Sequence, residues 1–95
     1  MSADARRDFL RKVEQTVCGD RHAAYGDAED SFAATAAIWQ VVLARHLKPD
    51  ARITAADVGV CMAGLKTARY ANDPSNEDTI CDGAGYWSCV GGMQR

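Results

Sequence analysis

Apolar residues recur every three or four positions along most of this 95-residue chain, and no segment alternates as a half-buried strand does. Phe9, Val13 and Val17 form the first such stripe. Helices joined by turns are therefore the favoured elements. We predict an all-α fold, a compact single-domain bundle of about four helices that covers residues 1–95. Because the connections are short, we expect up-and-down topology.

Helix-breaking residues set the predicted bounds of the first two helices. The first helix is expected from about residue 3 to Cys18, because Gly19 follows its apolar stripe. The second is expected from Ala28 to Leu47, where the segment Lys48-Pro49-Asp50 forces a turn.

Two capping boxes predict the start of the last two helices. Thr54 with Asp57 opens the third helix, which is expected to end at residue 71 or 72. Ser75 with Asp78 repeats the spacing and opens the fourth, which is expected to run to the glycine pair at 91 and 92.

Composition excludes several classes of protein. The formal net charge of -2 does not provide the basic surface of a nucleic-acid binder, so we expect no duplex nucleic-acid partner. No apolar run approaches the roughly 20 residues of a membrane span, and the polar start of the chain is not a secretory signal. We therefore predict a cytoplasmic protein without a membrane partner. The four cysteines form no C-x-x-C pair and are expected to be reduced.

Two basic residues of the third helix indicate an anion site. Arg69 continues the line of Leu65 and the apolar residues before it, so its guanidinium is expected on the core-facing side. An arginine there needs an anion. One alternative is an internal ion pair with Asp82 or Asp78. The other is a phosphate or carboxylate of a ligand, with Lys66 adding a second positive charge one turn away.

Asp78 and Asp82 lie one turn apart on one face of the fourth helix, about opposite Trp87. Asp78 is explained as a capping carboxylate that offsets the helix dipole. Asp82 is not, because a second like charge at this spacing is unfavourable. Three alternatives remain open for Asp82: a solvated face, an ion pair with Arg69 or Lys66, and a metal site shared with Asp78.

The segment between the first two predicted helices is dense in polar groups. Arg21, His22 and Tyr25 either form a structural network there or line a site. Gly26 is expected to supply a backbone shape that other residues resist.

These residues together resemble a family of small proteins encoded by phages and prophages. The resemblance covers about residues 10 to 90, and it implies an all-helical fold but carries no activity with it. The shared pattern consists of Gly19-Asp20-Arg21, Tyr25-Gly26-Asp27, Trp39, Asp57-Val58, Met62, Leu65-Lys66, Arg69, Asp78, Asp82 and Gly85-Tyr86.

More distantly, the chain is similar to the all-alpha nucleoside triphosphate pyrophosphohydrolases of the MazG type. Those enzymes hold magnesium with an E-x-x-E pair on one helix and an E-x-x-D pair on a later one. Here Glu29-Asp30 has no second acidic residue three or four positions on, and Asp78 with Asp82 has a different spacing. We therefore predict no cofactor, with Mg²⁺ required only if a hydrolase alternative holds.

The leading hypothesis is a non-catalytic phage-type protein that binds a nucleotide or another phosphorylated small molecule, with sequestration of a nucleotide signal in counter-defence as one use. Cations would meet the phosphates and a tyrosine would stack on a base. The residues assigned to this site are Arg21, His22, Tyr25, Lys66, Arg69 and Tyr86.

Two other functions stay open, and with them the question of whether the protein is an enzyme. One is a MazG-like, magnesium-dependent hydrolase with Asp78 and Asp82 as metal ligands. The other is an inhibitor or interaction protein that acts on a host defence or replication complex. If the protein is phage-encoded, we expect it in the host cytosol. The alanine-rich second helix also permits close helix approach, within the chain or between copies in a homo-oligomer.

Overall fold

The computed structural model describes the whole chain, residues 1–95, as four helices without a strand. The predicted all-α bundle is confirmed. The first helix consists of α1 (Ala3–Glu14), a π-helix (Gln15–Arg21) and α2 (His22–Tyr25); the others are α3 (Ala28–Val42) with a following 3-10 turn (Ala44–His46), α4 (Ala55–Asn72) and α5 (Glu77–Met93). None of these helices combines the length and the apolar character needed to cross a membrane.

The first helix does not end at Gly19 as predicted. It continues as a π-helix, and Arg21 and His22 keep right-handed helical backbone angles. Glycine inside a helix costs only about 1 kcal/mol relative to alanine, which packing of the segment against α5 can offset. The helix ends at Gly26, whose φ of 75° and ψ of -156° favour glycine, as predicted. Arg21, His22 and Tyr25 are therefore helical residues rather than loop residues.

The regular part of α3 ends at Val42, earlier than the predicted Leu47, and its continuation tightens into the 3-10 turn. The side chain of Gln40 fixes the segment that follows. Its Nε2 donates to the carbonyl of Ala51 at 2.9 Å, and its Oε1 accepts from the N–H of Ile53 at 2.8 Å. These two hydrogen bonds hold the α3–α4 connection against α3.

Both predicted capping sites begin a helix, but only one uses the predicted residues. The capping box of Thr54 and Asp57 is confirmed at the start of α4. At α5 the cap is Asn76, whose side chain accepts from two backbone N–H groups, while the hydroxyl of Ser75 donates to Asp73. An amide oxygen is a better cap than a hydroxyl that is already committed elsewhere. The helix also passes through residues 91 and 92 and ends at Met93.

The buried interior consists mainly of small residues. Eight of the 95 residues are buried, and they are Val13, Ala36, Val58, Gly59, Ala63, Thr79, Cys81 and Gly85. A Cβ built on Gly59 would lie 2.6 Å from Cγ2 of Val90 and 3.3 Å from the Phe32 ring. The helices therefore pack closely where the side chains are smallest.

Because of this packing, the buried face of α4 is not the predicted one. Its buried residues include Gly59 and Ala63, and the next position on that line is Lys66. Leu65 is 41% exposed and Arg69 is exposed. The expectation that the Arg69 guanidinium lies on the core-facing side is therefore wrong, and Lys66 occupies the packed face instead.

On α5, too, small residues occupy the buried positions. Cys81 and Gly85 are buried, whereas Trp87, which lies about opposite the aspartates, is 57% exposed. Gly85 lies so close to the π-helix that a Cβ there would be 2.9 Å from Cγ2 of Val17. The face of α5 that carries Asp82 therefore points inward, beside the first helix.

Candidate functional site

The inward face of α5 forms the floor of a groove of about 700 Å³. The π-helix and α2 form one wall, the start of α3 forms the other, and Lys66 enters from α4. Five of the six predicted binding residues line this groove, namely Arg21, His22, Tyr25, Lys66 and Tyr86, and so does Asp82.

Asp82 joins two cations within the groove. Its Oδ2 lies 3.2 Å from Nζ of Lys66, and its Oδ1 lies 3.6 Å from Nη2 of Arg21. The Lys66 side chain is only 13% exposed, so its ammonium requires an anion, and Asp82 supplies it. Of the alternatives for Asp82, the structure contains the ion pair with Lys66 and not the one with Arg69.

Aromatic side chains line the groove beside these charges. The rings of Phe32 and Tyr86 are 5.8 Å apart between centroids and tilted by 33°. Tyr25 is largely exposed and lines the groove together with His22. The groove thus combines cationic and aromatic groups, the two chemistries that recognise the phosphates and the base of a nucleotide.

Arg69 is the predicted site residue that the structure places elsewhere. It lines a separate shallow depression with Asn72, Asp73 and Asn76, and it forms no ion pair within the chain. The internal bridge from Arg69 to Asp82 or Asp78 is therefore absent.

Asp78 and Asp82 do not share a site. Asp78 and Glu77 both pair with Nζ of Lys12, at 3.5 and 3.4 Å, which ties α1 to the start of α5. Desolvation lowers the pKa of Lys12, but hydrogen bonds and attraction to the two carboxylates outweigh it and raise the pKa overall. No three His, Cys, Asp or Glu side chains come together as they would to hold a metal ion. The alternative of a magnesium site at these aspartates has no such cluster to support it.

Three cysteines line the groove, all of them with free thiols. Cys18 is exposed and Cys81 is buried, with its Sγ 3.8 Å from Oγ1 of Thr16. Burial raises the pKa of the Cys89 thiol above its ordinary value of 9.0, although a hydrogen bond with Ser88 lowers it in part. At neutral pH Cys89 is therefore an uncharged thiol.

Sequence reasoning missed several residues of the groove. Phe32 belongs to the apolar stripe of α3, so the sequence places it in the core. Asp27 is expected only as a helix cap, and Ser31 carries no sequence signal. The side chain of Asp27 does accept from the N–H of Glu29 at 3.0 Å. One sequence signal could have located the groove. Asp82, Gly85 and Cys89 share one face of α5, and a glycine on that face permits the close approach of another helix.

The chain is similar to a known family and to a phage protein. Residues 8–94 match the family described as a domain of unknown function (DUF6378). The Gene 55 protein of Mycobacterium phage L5 is 33% identical over 86 residues, which are 90% of this chain and 52% of that protein. The chain thus spans about half the length of this curated relative. No solved structure matches the chain. The predicted resemblance to a phage-encoded family is confirmed, whereas a similarity to MazG-type hydrolases is not shown.

Proposed function

From its groove we propose that this chain, which belongs to the DUF6378 family, binds a nucleotide or another phosphorylated small molecule without catalysing a reaction. The description of that family names no activity. The observation that carries this proposal is the convergence of Arg21 and Lys66 on Asp82 inside a groove lined by aromatic rings.

The two cations have donors left for a phosphate. An ammonium has three N–H donors, and Asp82 is the only carboxylate that pairs with Lys66. The Arg21 side chain is 56% exposed and its 3.6 Å contact with Asp82 is long, so the guanidinium can turn towards a ligand. Charge-assisted hydrogen bonds to phosphate oxygens are about twice as strong as neutral ones.

The remaining surface of the groove suits the rest of a nucleotide. The volume of about 700 Å³ lies within the roughly 300–1,000 Å³ of small-molecule sites. Tyr25 and Tyr86 line the groove, and a base would stack on one of these rings. In a phage-encoded protein, such binding would sequester a nucleotide signal that the host uses in defence.

A thermal-shift screen tests the proposal. The probes are nucleoside mono-, di- and triphosphates, cyclic nucleotides and inorganic pyrophosphate, each with and without magnesium. A ligand that binds only the folded state at 100 times its Kd adds about 2.7 kcal/mol of stability. We expect a rise in Tm that does not require magnesium. Unchanged Tm values with every probe would contradict the proposal, and a rise that requires magnesium would contradict its non-catalytic, metal-free form.

Alkylation of cysteines then locates the bound compound. Cys18 lines the groove and Cys61 does not, and both are exposed. We expect a compound that raises Tm to slow alkylation of Cys18 and to leave the rate at Cys61 unchanged, as followed by mass spectrometry. Equal rates at Cys18 with and without the compound would place binding outside the groove.

A further inference from the structure

The chain exposes more surface than a folded monomer of its size does. Its accessible surface is 6847 Å², whereas a compact monomer of 10.2 kDa exposes about 5,300 Å². The excess of about 1,500 Å² is more than the roughly 800 Å² per partner of a standard protein interface. The radius of gyration of 15.0 Å likewise exceeds the about 12 Å of a compact chain of this length. This excess belongs to the whole surface, and it leaves room for part of that surface to be covered by a partner.

The outer face of α3 is one apolar part of this surface. Ile38, Val41 and Val42 are 62%, 78% and 61% exposed, and Ala34 and Ala37 are exposed beside them. On a helical projection these five residues form a strip opposite the buried Ala36 side of the helix. We call this strip, residues 34, 37, 38, 41 and 42, the α3 outer face. Such a face on a helix is typical of a surface covered by another helix.

The order of residues on this face is self-complementary. We propose that a second copy of this chain covers it, with the two α3 helices antiparallel about a two-fold axis that passes between Ala37 and Ile38. That axis pairs Ala34 with Val41 of the partner subunit and Ala37 with Ile38 of the partner subunit. Ile38 and Val41 then each meet an alanine, which allows the helices to pack closely. An interface of this kind uses the same patch on both subunits.

The charges at the two ends of the face select this arrangement. Asp30 and Arg45 are exposed and take part in none of the chain's ion pairs. They lie the same number of residues from the axis, Asp30 in the first turn of α3 and Arg45 in the 3-10 turn that follows this helix. In the antiparallel dimer Asp30 meets Arg45 of the partner subunit at both ends. A parallel pair would instead place like charges together. Opposite charges at the rim of an apolar interface favour the correct register.

Sedimentation velocity tests the dimer. We expect a species of twice the 10.2 kDa chain mass at micromolar concentration. Val41→Asp should give a monomer with the helix content of the natural chain in circular dichroism. Val60→Asp, at an apolar position on α4 that is also exposed, is the matched control and should remain a dimer. A natural chain that sediments as a monomer would overturn the proposal.

Charge reversal tests the register. Asp30→Arg and Arg45→Asp should each weaken their own homodimer about ten-fold, because two attractive pairs become repulsive. Mixing the two variants should restore the natural affinity, since both ends of the mixed dimer then carry opposite charges. If the mixture remains as weak as the separate variants, the antiparallel arrangement is wrong, whatever the oligomeric state.

Discussion

Asp82 determines the chemistry of the groove because it fixes two cations that come from different helices. Lys66 on α4 and Arg21 at the end of the π-helix lie far apart in the sequence, and both reach this carboxylate. The Asp82 side chain is 22% exposed, so removal of both cations would leave a poorly solvated negative charge. These three side chains therefore hold three helices together and also set the charge that a ligand in the groove would meet.

A second residue makes stability depend on pH. Burial raises the pKa of Cys89, so the folded chain holds the thiol proton more tightly than the unfolded chain does. The corresponding stability is present below the ordinary pKa of 9.0 and is lost as the pH rises through the folded value. As the pH rises from about 8 to about 10, the free energy of unfolding should fall less in Cys89→Ser than in the natural chain, as measured by urea unfolding.

The matched control is Cys61→Ser, which removes an exposed thiol outside the groove. Identical losses of unfolding free energy in the natural chain and in Cys89→Ser across this interval would show that Cys89 is not the group responsible.

Small residues decide how the helices of this fold are oriented. Gly59 on α4 and Gly85 on α5 each lie where an added Cβ would come within 3.0 Å of a valine methyl group. Close approach at these points turns Lys66 and Asp82 towards each other and turns Arg69 outward. The helix faces, and with them the groove, therefore follow from the glycines as much as from the large apolar side chains.

A pair of glycines on α4 tests this account. Gly59→Ala places a methyl group against Val90 and Phe32, which should cost about 1–3 kcal/mol. Gly64→Ala meets no atom within 4 Å and should gain about 1 kcal/mol from helix propensity. We expect urea unfolding to show a less stable Gly59→Ala and a more stable Gly64→Ala. An equal gain in both variants would mean that α4 is not tightly packed at Gly59.

These elements also show how far the sequence predicts the structure. The periodicity of apolar residues was sufficient to predict the all-α class. The capping box of Thr54 and Asp57 was sufficient to predict the start of α4. The buried face of α4 was misjudged because the line of large residues that contains Leu65 was expected inside, whereas glycine and alanine pack there. The π-helix could not be predicted, since nothing in its residues distinguishes it from an interrupted α-helix.

At the scale of the whole molecule, the chain measures 49 × 29 × 22 Å, and its groove and the α3 outer face are separate surfaces. The groove uses Ser31 and Phe32 near the start of α3, whereas the proposed dimer axis lies one to two turns further along the same helix. The proposed interface and the groove share no residue, so a monomeric variant should keep its groove.

We expect the cations of the groove, and not basic residues in general, to bind the phosphorylated compound. Calorimetric titration of the compound with the largest thermal shift into Lys66→Gln and Arg69→Gln tests it most directly, because both changes remove one positive charge from α4. Loss of a charged hydrogen bond costs about 1.5–3 kcal/mol, so Lys66→Gln should bind at least about ten-fold more weakly. Arg69→Gln should bind as the natural chain does. Equal affinities in the two variants, or loss of binding in Arg69→Gln alone, would show that the compound does not bind to the cations of the groove.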